Sequence, residues 1–573
     1  MNVLSRFFPP LQWLPHYRRE DFSGDLSAGL TVGVMLIPQG MAYALIAGLP
    51  PIYGLYASLV PLIIYALFGT SRQLAVGPVA MVSLLVAAGV APLAGDDVAL
   101  YVTLALTLSL MVGALQFFLG VARFGFLTNF LSHPVLSGFT SAAALIIGLN
   151  QLKHLLGLSI ARSNYIHEIL WSALTQIGAT HLPTLALGLG SIVLLVGLKR
   201  WKKTFPGALV VVVLTTLVVW LLRLDLLGVK IVGEVPSGLP GFVLPDVGMA
   251  EIDALLPTAL AIGLVGFMES IAVAKAFASK HRYEVDANQE LIGLGLANLF
   301  GGLFQAYPTT GGFSRTAVND QAGARTPLAA ILSAGVIALT LLFLTPLFFF
   351  MPKAVLAAIV MVAVVGLIDL KEARFLWRVK RQDFYLLALT FLATLSLGIE
   401  QGILVGVAAS LVLVIQQSSR PHTAVMGRLP GTKTYRNIER NPEAITRSDL
   451  IILRVDAALY FANVAYFKDK LQEIEEKAPA LRAIVIDAYP MNRIDSSAAH
   501  VLLEILEEAE RRGIRFYFAG VKGPVMDVLE HAGIVDRIGR DHFFMEVHEA
   551  VEAAEAALKN QPSTLGAPAE ALS

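Results

Sequence analysis

The stretch from Pro308 to Asn319 (Pro-Thr-Thr-Gly-Gly-Phe-Ser-Arg-Thr-Ala-Val-Asn) places hydroxyls, paired glycines and one arginine in otherwise apolar surroundings. It reads as a turn followed by a helix start. Free N–H groups from Gly312 to Arg315, the Ser314 hydroxyl and the Arg315 guanidinium would all attract negative charge there. A second break, Val76-Gly77-Pro78-Val79-Ala80-Met81, offers an opposing helix N-terminus from Gly77 to Ala80. Two such ends with a guanidinium favour an oxyanion. Glu269 is the only ionisable residue between Asp253 and Lys275. An isolated carboxyl in mid-span is costly in hydrocarbon and is a functional candidate, one that can load and release a proton. Gln39 and Tyr43, one helical turn apart after Pro38, share a face and can line the same cavity. Each group also has a plainer role open to it: Glu269 as a structural partner of Arg315, Arg315 reaching an interface, Tyr43 as packing.

The elements that position these residues follow from hydropathy. Of 573 residues, 56% are hydrophobic and 15% charged, far too apolar for a soluble chain of this size. Apolar spans fall near 27–47, 52–69, 77–92, 99–120, 131–152, 182–198, 207–223, 255–277, 286–304, 311–323, 328–348, 352–369, 382–397 and 400–417, about fourteen in all. If the N-terminus is cytoplasmic, the inside loops collect Arg72, Arg123, the Lys199–Lys203 cluster, Lys280, Arg282 and the Lys371–Arg381 cluster. That is the positive-inside pattern, and it places both termini in the cytoplasm of a cell whose plasma (inner) membrane holds the chain. The mixed segment 224–254 divides the spans seven and seven. Because seven is odd, the second half enters inverted. The halves echo each other: Ile37–Tyr43 is expected to interrupt the first span and Phe267–Ser270 the eighth, with the Gly77 and Gly311 breaks following at similar intervals. Residues 1–26 read as a retained cytoplasmic, partly interfacial segment and 27–417 as a transmembrane transport domain.

Beyond Gln417 the character changes. Residues 418–449 are polar with Pro421, Pro430, Gly431 and Pro442, and read as a linker; 450–558 alternate strand and helix as a small α/β domain; 559–573 read as a disordered tail. Asp495 and Ser496 stand at a strand-to-helix junction, where both are ordinary caps. With no cysteine, thiol, disulfide and zinc–cysteine chemistry are excluded, and a net charge of +0 argues against nucleic acid. No metal-ligand pattern, phosphate loop or nucleophile elbow occurs, so no cofactor and no catalysis are expected.

Several elements together resemble the SulP (sulfate permease) family of anion transporters. They are Pro38-Gln39-Gly40-Met41-Ala42-Tyr43-Ala44, Gly77-Pro78, Glu269-Ser270-Ile271-Ala272-Val273, Gly311-Gly312-Phe313-Ser314-Arg315-Thr316 and a C-terminal part similar to STAS modules. The resemblance implies a polytopic α-helical fold of fourteen spans in a 7+7 inverted repeat. Its core (spans 1–4 and 8–11) moves against a gate (5–7 and 12–14), ahead of a cytoplasmic α/β STAS-like domain. It implies an anion between the third and tenth half-helices, lined by Gln39, Tyr43, Gly77, Pro78, Val79, Ala80, Phe313, Ser314 and Arg315. Glu269 takes the place of the coupling acid, and the chain forms a homodimer in the lipid bilayer. In the related anti-sigma antagonists the serine at this junction is phosphorylated, and the resemblance marks Asp495 and Ser496 as possible regulatory residues. The sodium-coupled bicarbonate members carry an aspartate in the eighth span, and this chain offers Glu269 instead, which favours a proton. The expected activity is proton-coupled symport of sulfate or a similar oxyanion. A sodium-driven bicarbonate carrier, an uncoupled exchanger and a membrane-tethered signalling protein stay open as alternatives.

Overall fold

The computed structural model describes residues 8–129, 132–160, 166–201 and 207–559, and the chain divides into two compact units, 1–410 and 411–573. Most of the expected tail lies outside the described residues. The first unit is helical. Its helices are α1 (Arg19–Ile46), α2 (Pro51–Phe68), α3 (Ala80–Ala94), α4 (Val98–Val121), α5 (His133–Leu156), α6 (Leu182–Trp201) and α7 (Gly207–Leu222). The second half continues with α8 (Met249–His281), α9 (Ala287–Leu303), α10 (Phe313–Gln321), α11 (Leu328–Phe348), α12 (Lys353–Val365), α13 (Arg381–Leu397) and α14 (Ile399–Ser419). Nine helices among the described residues are long and apolar enough to cross a membrane. The half-helix α10 is too short to cross alone, as is α3 with 15 residues.

The packing displays the repeat. α11 lies on α1 as α4 lies on α8; α10 packs on α1 as α3 packs on α8; α13 packs on α5 as α6 packs on α12. Each pair maps onto its counterpart by a shift of seven helices. Two amphipathic helices repeat the correspondence, Ile166–Thr175 between α5 and α6 and Leu370–Val379 between α12 and α13. The chain is therefore a polytopic helical protein with an inverted repeat.

Two expected interruptions do not occur. α1 runs unbroken through Pro38, and α8 runs unbroken through Glu269. Pro38 removes one intrahelical bond but is buried against neighbours, and that packing keeps the helix whole. Alongside it, Gly40 lets α2 approach: a Cβ on Gly54 would stand 2.0 Å from the Gly40 carbonyl oxygen. Extended breaks lie before α3 and α10.

The second unit contains a six-stranded sheet of order β4-β3-β5-β6-β7-β8, where β3 is Thr423–Arg428, β4 Tyr435–Asn437, β5 Leu450–Val455, β6 Ala483–Asp487, β7 Arg515–Ala519 and β8 Phe543–Phe544. Strands β5 to β8 are parallel, and β3 and β4 are antiparallel additions. The segment expected as a linker thus supplies two strands. Alternation along the strands sends Leu453, Val455, Ile484 and Ile486 to one face, under α15 (Val464–Lys477) and α16 (Ser496–Arg511). Ile452, Val485 and Tyr517 go to the other, under the helix Val547–Lys559.

Candidate functional site

The two breaks meet. Val76–Gly77 (β1) and Thr310–Gly311 (β2) form an antiparallel pair, Val76 opposite Gly311 and Gly77 opposite Thr310, from which α3 and α10 leave. Every residue from Gln73 to Ala80 and from Ala306 to Gly312 is buried, so extended backbone here needs internal partners. It finds them in side chains and in the facing strand. The Gly311 N–H donates to Ser270 Oγ (2.8 Å), and the Gly312 N–H donates to the Ala75 carbonyl (3.2 Å). The Ala75 N–H donates to Thr316 Oγ1 (3.1 Å), and Thr310 Oγ1 donates to the Gly266 carbonyl on α8 (2.5 Å).

The helix starts themselves are treated differently. Val79 precedes α3 and Gly312 precedes α10, and neither supplies a side-chain cap. First intrahelical bonds run from Ser83 N–H to the Val79 carbonyl and from Thr316 N–H to the Gly312 carbonyl. The amides of Ala80 to Val82 and of Phe313 to Arg315 are left at the positive helix ends.

Arg315 is 1% exposed. Its guanidinium donates to the Pro78 carbonyl and, at 3.5 Å, to the carbonyls of Ala75 and Thr310, binding both strands of the crossing. Its Nε–H is buried without a partner. The alternative of Glu269 as a structural partner of Arg315 is not seen as a contact: the guanidinium donates to backbone carbonyls instead. Glu269 is half-buried on the side of α8 that also carries the exposed Ala272 and Ala276. Gln39 and Tyr43 are buried on α1, the Gln39 Nε2 donating to the Tyr43 hydroxyl at 3.0 Å. That leaves the Tyr43 proton free to donate, and Gln39 Oε1 is buried without a partner. Phe313 and Ser314 are exposed, Phe313 against the Phe277 ring at 6.1 Å. The structure therefore brings Gln39, Tyr43, Glu269 and Arg315 around the two helix ends. Gly77 to Ala80 are buried, and Phe313 and Ser314 are exposed.

Sequence reasoning missed the buried polar residues that hold this centre: Ser270, Gln116, Glu290, Asn298 and the Ser83–Tyr307 hydroxyl pair (3.1 Å). Ser83, Gln116, Ser270 and Asn298 carried a signal as polar side chains inside apolar spans, whereas Glu290 stands near the start of its span and Tyr307 between two spans. In the second unit, Asp495 caps α16 by accepting from Ala498 N–H (2.8 Å) and also accepts from Phe461 N–H (3.0 Å), and Ser496 is exposed. Among the described residues no cluster of three or more His, Asp or Glu side chains could hold a metal.

Comparison with known proteins matches residues 22–390 to the sulfate permease family and residues 441–550 to the STAS domain. The chain is 45% identical to probable sulfate transporter 4.2 of Arabidopsis thaliana, over 96% of this chain and 84% of that one. It is 38% identical to a probable sulfate transporter of Mycobacterium tuberculosis, over 94% and 96%. Among solved structures it resembles the murine solute carrier 26 family member A9 anion transporter in the inward-facing state. There the TM-score is 0.89 at 28% identity, covering 96% of this chain and 94% of the other.

Proposed function

The chain belongs to the sulfate permease family and carries a C-terminal STAS domain, and from that premise we propose that it is a secondary transporter of small anions, carrying sulfate or a similar oxyanion by proton symport. One observation carries the reading: two uncapped half-helix N-termini meet beside a buried guanidinium whose Nε–H has no partner. Uncompensated positive ends inside a membrane domain are costly, and a bound anion is the group that compensates them.

In this reading the amides of Ala80 to Val82 and Phe313 to Arg315, with the Ser314 and Tyr43 hydroxyls, hold the oxyanion. Arg315 supplies charge from behind the crossing. Glu269 and the anion share that positive field. While Glu269 is ionised it partly neutralises the field; once protonated it leaves the field to the anion, so proton and anion load together. The core (α1–α4 and α8–α11) then carries both against the gate (α5–α7 and α12–α14). The transport domain is residues 27–417, the STAS domain takes in β3 and β4 and runs to 558, both termini are cytoplasmic in a plasma (inner) membrane, and the working unit is a homodimer.

The test is uptake of radiolabelled sulfate into liposomes containing the purified protein. Accumulation driven by an inward-directed proton gradient at fixed sodium is expected. Uptake that ignores the proton gradient would overturn proton coupling, and uptake that follows sodium at fixed pH would assign the sodium-driven alternative.

A further inference from the structure

Helix α9 is unusual for a helix inside a membrane domain: Gln289, Glu290 and Asn298 are all buried on it. A carboxyl and a carboxamide there cost free energy unless their polar atoms are engaged. They are engaged, and their partners are the two breaks. Near the start of α9, Glu290 accepts from Thr70 N–H and Thr70 Oγ1 (both 2.6 Å), from Ser71 N–H (3.2 Å) and from the Tyr65 hydroxyl (2.6 Å). Thr70 and Ser71 lead from α2 into β1. Roughly 12 Å further along the same helix, at 1.5 Å per residue, stands Asn298. Its Oδ1 accepts from Thr309 N–H (2.7 Å) and Thr309 Oγ1 (3.1 Å), and its Nδ2 donates to the Thr309 carbonyl (3.1 Å). Thr309 leads into β2. The second Nδ2 hydrogen goes to Gln116 Oε1 on α4 (3.1 Å), and Gln116 Nε2 donates to the Gly263 carbonyl on α8 (3.1 Å).

Resting on the reading of the crossing as an anion site, we infer that Glu290 and Asn298 are positioning residues for that site. Each fixes the lead into one half-helix, so that α9 sets where both positive helix ends point without touching the anion. Neither residue hydrogen-bonds to Gln39, Tyr43, Glu269 or Arg315; Asn298 reaches α10 through Thr310 to Gly312, and Glu290 reaches α3 through Arg72 to Val79, the segment whose Val76 and Gly77 pair with Gly311 and Thr310. Because the two leads are buried and paired at Val76–Gly311 and Gly77–Thr310, a displacement of either shifts the crossing from which both helices start, and amide donors lose their aim with shifts of about 1 Å.

The experiment measures sulfate uptake against sulfate concentration for the full-length protein in liposomes, with thermal stability of the same samples recorded in parallel. Asn298→Ala and Glu290→Ala should each raise the half-saturating sulfate concentration about tenfold, while the maximal rate falls less than about threefold. Glu290→Gln keeps an amide oxygen for Thr70 and Ser71, and the Tyr65 hydroxyl can turn to accept, so it should return half-saturation to within about twofold of the parent. Should Asn298→Ala fail to fold, Thr309→Val removes one bond of the same network and Gln116→Leu two, and each should still raise half-saturation measurably. Variants that lower only the maximal rate or the stability, with half-saturation unchanged, would overturn the positioning role, as would Glu290→Gln behaving like Glu290→Ala. A parent protein with no saturable sulfate uptake would instead overturn the functional reading on which the inference stands.

Discussion

Replacing Arg315 separates its charge from its shape. The guanidinium joins both strands of the crossing, with one tight contact to the Pro78 carbonyl and two at 3.5 Å to Ala75 and Thr310. Lysine keeps the charge and can keep the Pro78 contact, but a point donor cannot span the other carbonyls. Bonds at the 3.5 Å limit are weak, so Arg315→Lys should cost about 1–2 kcal/mol of stability. Because the positive charge stays behind the helix ends, sulfate affinity should fall less than about tenfold. Arg315→Met removes the charge. A cation roughly 5 Å from an anion, at an effective dielectric of about 20, contributes about 3 kcal/mol, or roughly two orders of magnitude in affinity. Titrating sulfate against the thermal shift of each detergent-purified variant reads the affinity, and the unliganded midpoints read the stability. Methionine binding sulfate within about threefold of the parent would refute Arg315 as the electrostatic partner of the anion. Lysine as weak as methionine would show that strand joining, not charge, is its contribution.

Other outcomes follow from the same geometry. Glu269→Gln should abolish accumulation driven by a proton gradient, which for one coupled proton is worth about 1.4 kcal/mol or tenfold per pH unit, while leaving sulfate–sulfate exchange intact; persistent proton-driven accumulation would remove Glu269 from the coupling. Gly54→Ala sets a methyl against the Gly40 carbonyl and should destabilise the chain by about 1–3 kcal/mol, seen as a lower unfolding midpoint. In the STAS domain, burial raises the pKa of Asp487 above its ordinary carboxylate value. The folded state therefore binds the proton more readily than the unfolded one, and stability falls as pH rises from the unfolded toward the higher folded value. Asp487→Asn, whose Oδ1 can still accept from Tyr489 N–H, should flatten that slope; unfolding midpoints compared at about pH 5 and about pH 7 check it.

What could be read in advance depended on contrast. Glu269 and the residues from Pro308 to Asn319 stood out because polar groups are rare in apolar surroundings, and the repeat showed itself through loop charges and the spacing of breaks. The direction of Arg315 could not be read, because its partners are backbone carbonyls of Pro78, Ala75 and Thr310, which exist at every position and carry no sequence signal. Pro38 and Glu269 were expected to break α1 and α8, yet buried neighbours keep both helices whole. Glu290 escaped notice because it lies near the start of its span, where a carboxyl is unremarked; its four donors come from α2 and the loop that follows. Strand β3 was hidden in an apparent linker because it bears Pro421 just before it and buries little beyond Ala424 and Met426. A strand with few buried side chains leaves little alternation to detect.

The repeat supplies a symmetric frame and the side chains break it. At the third residue of each half-helix, α10 carries Arg315 where α3 carries Val82, and the supporting helix α8 brings Glu269 where α1 brings the uncharged Gln39 and Tyr43. The backbone contribution, a positive helix end from each half, is the same on both sides of the crossing. The formal charge of the named ionisable pair is therefore zero with Glu269 ionised and positive with it protonated, and the helix ends add to it in either state. An oxyanion meets a stronger field only in the protonated state. Proton and anion would be coupled by that difference alone, without contact between Glu269 and the anion. The coupling should then survive any substitution that leaves both charges in place, such as Ser314→Ala, even where affinity drops: sulfate accumulation per unit of pH gradient would match that of the parent while half-saturation rises. A loss of proton-driven accumulation in Ser314→Ala would show that coupling needs the hydroxyl and not the charge difference.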